Sequence, residues 1–350
     1  MSLHQSESGA PLRVAVVGYG YWGPNLVRNV AERPEWDLAG LCEMDPERGA
    51  AFSARMPGYP VWSDLDDVVA DDTIDAVLVA TPPRTHHAIA HAALSAGKHV
   101  LVEKPLAKTA AEALDLVELA RANELVLMPG HTFLYSPPVN KIRDLIKSDQ
   151  LGEVYFVTSS RMNLGKYQSD GVICDLAPHD LSILLYLLEQ PVVSIAASAR
   201  SVFQEGVPEV AFLTLTFANG TTANVQISWL APRKVREMVV VGSQKMVQYD
   251  DTAADESVRV FDRGMDFKTP ENFGEHQLSY RSGDIVIPRV DAAEPLGLEL
   301  ADFAHAIRTG ERPRSHAELG YEIVAAVEAA EESLRNGGAP VAVTPMVTAI

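Results

Sequence analysis

The chain has 350 residues, of which 47% are hydrophobic and 22% charged, a balance that excludes a disordered or fibrous protein. Lys and Arg total 29 against 47 Asp and Glu, for a formal net charge of −18. Nucleic acid and anionic membrane surfaces are repelled by such a field, so neither is an expected partner. Only Cys42 and Cys174 are present, too few for a disulfide framework or a zinc cluster, and a reducing, cytoplasmic setting fits. The first eleven residues are polar and no window approaches about 18 uninterrupted apolar residues, so neither export nor a membrane span is expected.

At roughly 150 residues per domain the length predicts two domains. From Leu12 onward, short apolar runs alternate with helical stretches, the pattern of βαβ crossovers onto a parallel sheet. Strands are expected at Leu12–Val17, Trp36–Cys42, Asp75–Ala80, His99–Val102 and Leu125–Met128. Helices are expected over 25–31, 46–54, 85–96 and 110–123, the last opened by Thr109 and Glu112 as a capping box. The rhythm changes at Pro129-Gly130, which places the domains at 12–129 and 130–350.

Beyond that boundary the strands lengthen and follow one another at 153–162, 192–203, 210–218, 222–229 and 235–241, as in an antiparallel sheet. Asn219-Gly220 suits a type I′ hairpin turn between two of them. An apolar helix is expected from about Pro178 to Leu188, edge strands and loops over 244–291, and helices over 295–309 and 318–335. The fold class is α/β: a doubly wound parallel sheet followed by an α/β domain with a large, open, mostly antiparallel sheet. An open apolar sheet face predicts a homo-dimer or homo-tetramer.

Gly18, Gly20 and Gly23 form G-x-G-x-x-G between the first strand and a helix, the arrangement that cradles a dinucleotide pyrophosphate. Gly18 permits the turn, Gly20 lets the backbone approach the phosphates, and Gly23 lets helix and strand pack closely. An acidic residue about 20 positions further on binds the adenosine ribose. Glu43 stands there, with Asp45 as rival. A carboxylate at this place repels the extra phosphate of NADP, so NAD is the expected cofactor. Tyr19, Tyr21 and Trp22 interleave the glycines, either touching the cofactor or packing on the helix. His86, His87 and His91 have the i,i+4 spacing of a metal pair but lack the acidic grammar of one, so no metal is expected.

Two further segments carry chemistry: Thr81-Pro82 with Glu103-Lys104-Pro105, at strand ends where open α/β sheets bind ligands, and Asp175-x-x-x-His179. This ordered set, spread from Leu12 to about Arg335, resembles the Gfo/Idh/MocA oxidoreductase family. The resemblance implies an N-terminal Rossmann domain and a C-terminal substrate domain. It places Lys104 near the nicotinamide and substrate hydroxyl, Asp175 and His179 in the same site, and Thr81, Pro82, His86 and Glu103 at the cofactor wall. Many relatives carry Arg after the fifth Rossmann strand, where this chain has Phe133-Leu134-Tyr135. Tyr135, Asn163 and Lys166 are candidate substrate contacts. The segments 130–135, 163–165 and 175–180 are similar to relatives acting on nucleotide-linked sugars.

Oxidising a secondary alcohol removes a hydroxyl proton as hydride leaves the same carbon, so a tunable base must touch that oxygen. His179 has a suitable unperturbed pKa, and Lys104 either shares the proton or stabilises the alkoxide. Asp175 sits one helical turn before His179, where it orients the imidazole, binds a sugar hydroxyl, or merely caps a helix. The leading expectation is an NAD-dependent sugar dehydrogenase or ketoreductase. An inositol or free-monosaccharide dehydrogenase and a non-catalytic dinucleotide sensor are the alternatives.

Overall fold

The computed structural model describes residues 9–165, 167–267 and 278–346. It divides into two compact units, 1–132 with 296–321, and 133–295 with 322–350. The first unit therefore extends three residues past the expected boundary and also reclaims a segment that sequence reading gave to the second.

In the first unit the elements run β1 (Leu12–Val17), α1 (Gly23–Ala31), β2 (Trp36–Cys42), α2 (Pro46–Arg55), β3 (Val61–Trp62), α3 (Leu65–Val69), β4 (Ala76–Val79), α4 (His86–Ser95), β5 (His99–Glu103), α5 (Ala110–Ala122) and β6 (Leu127–Gly130). The six strands pair in the order β3-β2-β1-β4-β5-β6, every pair parallel. Strand order reverses at β1 and β4, which makes the carboxyl ends of those strands the ligand crevice of a doubly wound sheet. β1, β4 and β5 are nearly free of solvent because helices cover both faces. The capping box forms as expected: Glu112 N–H donates to Thr109 Oγ1 at 3.2 Å, and Thr109 N–H donates to the Glu112 carboxylate.

The second unit opens with α6 (Pro137–Lys147), then β7 (Val154–Met162), α7 (Gly171–Leu188), β8 (Val192–Arg200), β9 (Val210–Phe217), β10 (Thr222–Ser228), β11 (Val235–Gly242), β12 (Met246–Asp250), β13 (Val258–Phe267) and β14 (Leu278–Val286). After α8 (Pro295–Thr309) and α9 (Ala317–Arg335), a short β15 (Val341–Ala342) closes the sheet, whose order is β14-β13-β12-β11-β7-β10-β9-β8-β15. All of its pairs are antiparallel except β10 with β7.

Three local expectations are corrected. Helix α7 begins at Gly171, seven residues before Pro178, which lies inside the helix and withholds one backbone donor. The hairpin after β9 takes positive φ at Gly220 alone, +87°, so Asn219 is not in the left-handed region that a type I′ turn needs. Instead Asn219 Oδ1 accepts from Thr221 N–H at 3.1 Å. Lastly, α8 packs in the first unit because its apolar face meets β2: the Trp36 and Phe303 rings stack 5.6 Å apart, and Trp36 Nε1–H donates to the Leu300 carbonyl.

Helix α7 is long and apolar enough by composition to cross a bilayer, yet 72% of it is buried inside the protein, which accounts for that composition. Tyr155 and Phe156 on β7 and Phe212 on β9 stay exposed.

Candidate active site

Gly18 and Gly23 meet the steric demands that the spacing predicts for the turn and for helix packing. Gly18 sits at φ +96°, and a Cβ there would lie 2.8 Å from the Ala80 carbonyl oxygen. At Gly23 a Cβ would come 2.3 Å from the Gly18 carbonyl oxygen, so only glycine lets the loop fold onto α1. Gly20 faces open space apart from the Arg48 guanidinium at 3.9 Å. No side chain caps α1 and no acidic residue enters its first turn; Pro24 has no N–H and the Asn25 and Leu26 N–H groups donate to the Trp22 carbonyl, which leaves the Gly23 N–H as the first-turn donor for an anion.

Glu43, directly after β2, is tied to that loop. Its two carboxylate oxygens accept from Tyr19 N–H at 2.7 Å and Asp45 N–H at 2.9 Å. An ionised carboxylate has about four acceptor sites, so lone pairs remain for ribose hydroxyls. Asp45, the rival, is spent as the N-cap of α2, accepting from Glu47 and Arg48 N–H. Of the aromatic residues, Tyr19 is buried edge-on against Phe52 at 5.5 Å, Tyr21 is 92% exposed, and Trp22 stacks on Tyr21. The packing alternative thus describes the Tyr19 ring.

Thr81, Pro82 and His86 follow β4. Thr85 Oγ1–H lies 2.8 Å from both Thr81 Oγ1 and the Pro82 carbonyl. The buried His86 ring stands between the Pro105 carbonyl, 2.7 Å from Nδ1, and the Thr81 carbonyl, 2.9 Å from Nε2. It braces the Thr-Pro turn against the Glu-Lys-Pro turn from behind. Burial holds its pKa below the usual range, partly offset by the two carbonyl contacts. His87 and His91 face Asp115 on α5, at 2.7 and 3.9 Å.

Behind Lys104 lies a group of buried ionisable side chains that sequence reading only partly signalled. Register pairs Glu103 of β5 with Gly130 of β6, where a Cβ would sit 3.2 Å from the Glu103 carboxyl. Burial pushes Glu103 up to about 8 against the pull of the adjacent Lys104 charge. The Trp22 indole N–H lies beside it outside hydrogen-bond geometry. Glu299 of α8, fully buried, accepts from Thr132 Oγ1–H at 2.9 Å. Its carboxyl is held well above the usual range by burial and then by Glu103. His131, also buried, has neither ring nitrogen hydrogen-bonded. Burial, then the charges of Lys104 and His316, hold it down to about 3.

In the second unit, Asp175 and His179 are one turn apart on α7, so they share a face. Asp175 lies inside the helix rather than at its cap, and its carboxylate accepts from Trp229 Nε1–H at 3.0 Å. The His179 ring meets the edge of Phe133 at 5.3 Å. The next residue, Asp180, is buried against Arg161: Arg161 Nε–H and Ser159 Oγ–H each donate to it at 2.7 Å. His179 and Asn163 line one cleft with Arg161, Leu176, Lys234 and Arg236. Tyr135 is corrected as a substrate contact: it is 1% exposed, because the turn over Thr132–Tyr135 directs it into the interior. Lys166 lies outside the described residues.

Residues 12–131 match the family described as an oxidoreductase family with an NAD-binding Rossmann fold, and residues 139–248 match its C-terminal domain. The chain is 30% identical to the UDP-N-acetylglucosamine 3-dehydrogenase of Acidithiobacillus ferrooxidans, over 68% of this chain and 74% of that protein. It is 28% identical to an inositol 2-dehydrogenase of Corynebacterium glutamicum, over 62% of this chain and 67% of that one. Among solved structures, GenD2 from gentamicin A biosynthesis in complex with NAD superposes with a TM-score of 0.83 at 25% identity, covering 98% of this chain and 99% of GenD2. With the glycine loop, Glu43, the Glu-Lys-Pro turn and the Asp175–His179 helix in these places, the chain belongs to the Gfo/Idh/MocA family of NAD-binding oxidoreductases.

Proposed function

We propose that the protein transfers hydride between nicotinamide and a secondary hydroxyl or ketone of a nucleotide-linked sugar, with NAD preferred to NADP. The observation that carries the acid–base part is the cleft on α7, where His179 stands one turn from Asp175 beside the donors of Arg161 and Arg236. Bound NAD supplies the two-electron acceptor. His179 takes the hydroxyl proton, or returns it in reduction, and Lys104 stabilises the negative charge that grows on oxygen. Asp175, fixed by the Trp229 indole, orients the imidazole or holds a neighbouring hydroxyl. Thr81, Pro82 and Glu103 complete the cofactor wall in this reading, with His86 as its brace.

The likeness to an inositol 2-dehydrogenase at similar identity favours a second reading, a free polyol as substrate. A panel of nucleotide sugars, free sugars and inositols, read by the absorbance of reduced nicotinamide, separates the two. Turnover of a nucleotide sugar and not of its free sugar is the expected result. Turnover of free inositols alone supports the second reading, and no turnover with any member of the panel counts against both.

NAD preference follows from Glu43, whose carboxylate is held at the glycine loop by two backbone amides. A phosphate on the same ribose meets that charge at close range. Glu43→Ser is expected to narrow the ratio of NAD to NADP affinities by about tenfold, equivalent to about 1.4 kcal/mol, with Arg48 near Gly20 as the available cation. Equal affinities in the unaltered protein, measured by calorimetry, would show that Glu43 does not discriminate.

A further inference from the structure

The cleft beside His179 has an unusual charge arrangement. Antiparallel register sets Arg161 of β7 directly opposite Arg236 of β11, and like charges facing each other across strands are destabilising. The sheet tolerates them through three devices. Asp180 is buried against Arg161, and Asp251 accepts from Arg236 Nη1–H at 2.8 Å. Phe133 lies under both guanidiniums, its ring centroid 4.5 Å from Arg161 Cζ and 5.7 Å from Arg236 Cζ. Each guanidinium has five N–H donors, and these contacts leave some of them unused.

Lys234, two residues before Arg236, is exposed and has no carboxylate partner among the described residues. Glu237, the nearest acid in the chain, accepts from Arg233. The residues that line the cleft include three cations and no carboxylate, in a chain whose net charge is −18. Asp180 and Asp251 balance the two guanidiniums, and the Asp175 carboxylate, one turn from His179, accepts from the Trp229 indole, so the cation of the lining with no ion-pair partner among the described residues is Lys234. The cleft is small and open at its mouth, a shape suited to one substituent of a larger molecule rather than to enclosing a whole ligand. A neutral polyol would leave Lys234 without an ionic partner in the complex, whereas guanidiniums already ordered by stacking and ion pairing offer their remaining donors to an anion with little further loss of freedom.

We propose that this cleft binds an acidic substituent of the substrate, a carboxylate or a phosphate, next to the carbon whose hydrogen is transferred. The proposal rests on the dehydrogenase reading only for the reaction that follows binding. It is tested on the full chain saturated with NAD, by calorimetric titration with glucose, glucuronate and glucose 6-phosphate at low and high salt, in the parent and in Lys234→Gln. At least one acidic sugar is expected to bind tenfold or more tighter than glucose, to weaken with salt, and to lose about tenfold in Lys234→Gln. Preference for glucuronate identifies a carboxylate as the natural group, and preference for glucose 6-phosphate identifies a phosphate. Equal binding of the three sugars, no binding of either acidic sugar at millimolar concentration, or an undiminished preference in Lys234→Gln overturns the proposal. If NAD titrated alone shows no binding while the acidic preference persists in the NAD-free chain, the cleft stands and the dehydrogenase reading is overturned instead.

Discussion

Alanine at Lys104 or His179 is expected to slow turnover by about 10²- to 10⁴-fold, the usual worth of a general acid–base group, while NAD affinity changes little. The second half of that expectation follows from the site: the contacts of Gly18, Gly23 and Glu43 shape the dinucleotide loop and are kept in both variants. Single-turnover hydride transfer at saturating NAD, with the substrate found by the panel, separates chemistry from binding. Asp175→Asn keeps an oxygen to accept from the Trp229 indole, so it should be milder if Asp175 orients His179. It should raise the Michaelis constant if Asp175 holds a hydroxyl. Near-normal rates in both alanine variants would remove the acid–base assignment, whereas NAD binding without turnover of any substrate by the parent would favour a dinucleotide-binding sensor.

What was legible in the sequence follows from how local each signal is. β1 and β2 are observed with the expected bounds, because a parallel strand buried on both faces reads as a continuous apolar run. β3 spans only Val61–Trp62, too short for any period to register. Pro178 reads as a helix start, since first-turn proline is common. Only the burial of Val172 and Ile173 explains why α7 begins earlier and tolerates an internal proline. The return of 296–321 to the first unit depends on a partner more than 250 positions away in the chain, as in the contact of Trp36 with Leu300.

The residues missed at the site broke a pattern rather than matched one. Along β7 the buried positions are Val157, Ser159 and Arg161, so polarity enters on the face where alternation calls for apolar side chains. Glu299 likewise interrupts the apolar face of α8. Local rules fail most often where a protein has a function to serve, and a charge at a buried register position was the available signal for both.

The cluster behind Lys104 should be visible in the dependence of stability on pH. The groups that face one another there are Glu103, Glu299, His131, Lys104, Asp302 and His316. Burial raises Glu103 to about 8 and Glu299 well above its usual value, so the native state holds protons that the unfolded chain releases above about pH 4.3. Stability from these carboxyls is full below that point and is lost as pH rises through the native values. His131 works in the opposite direction. Held down to about 3, it stays neutral while the unfolded imidazole takes a proton below about pH 6.5, so its contribution is lost as pH falls toward 3. Glu299→Gln, neutral and of the same shape, should therefore match the parent near pH 5 and exceed its melting temperature by several degrees near pH 9. His131→Asn should flatten the acid limb and leave the alkaline limb in place. Melting temperatures across the range, taken as differences from the parent, isolate these groups from surface carboxylates that titrate in every variant. A Glu299→Gln difference that is the same at pH 5 and pH 9 would mean that the native protein never has to bury that charge.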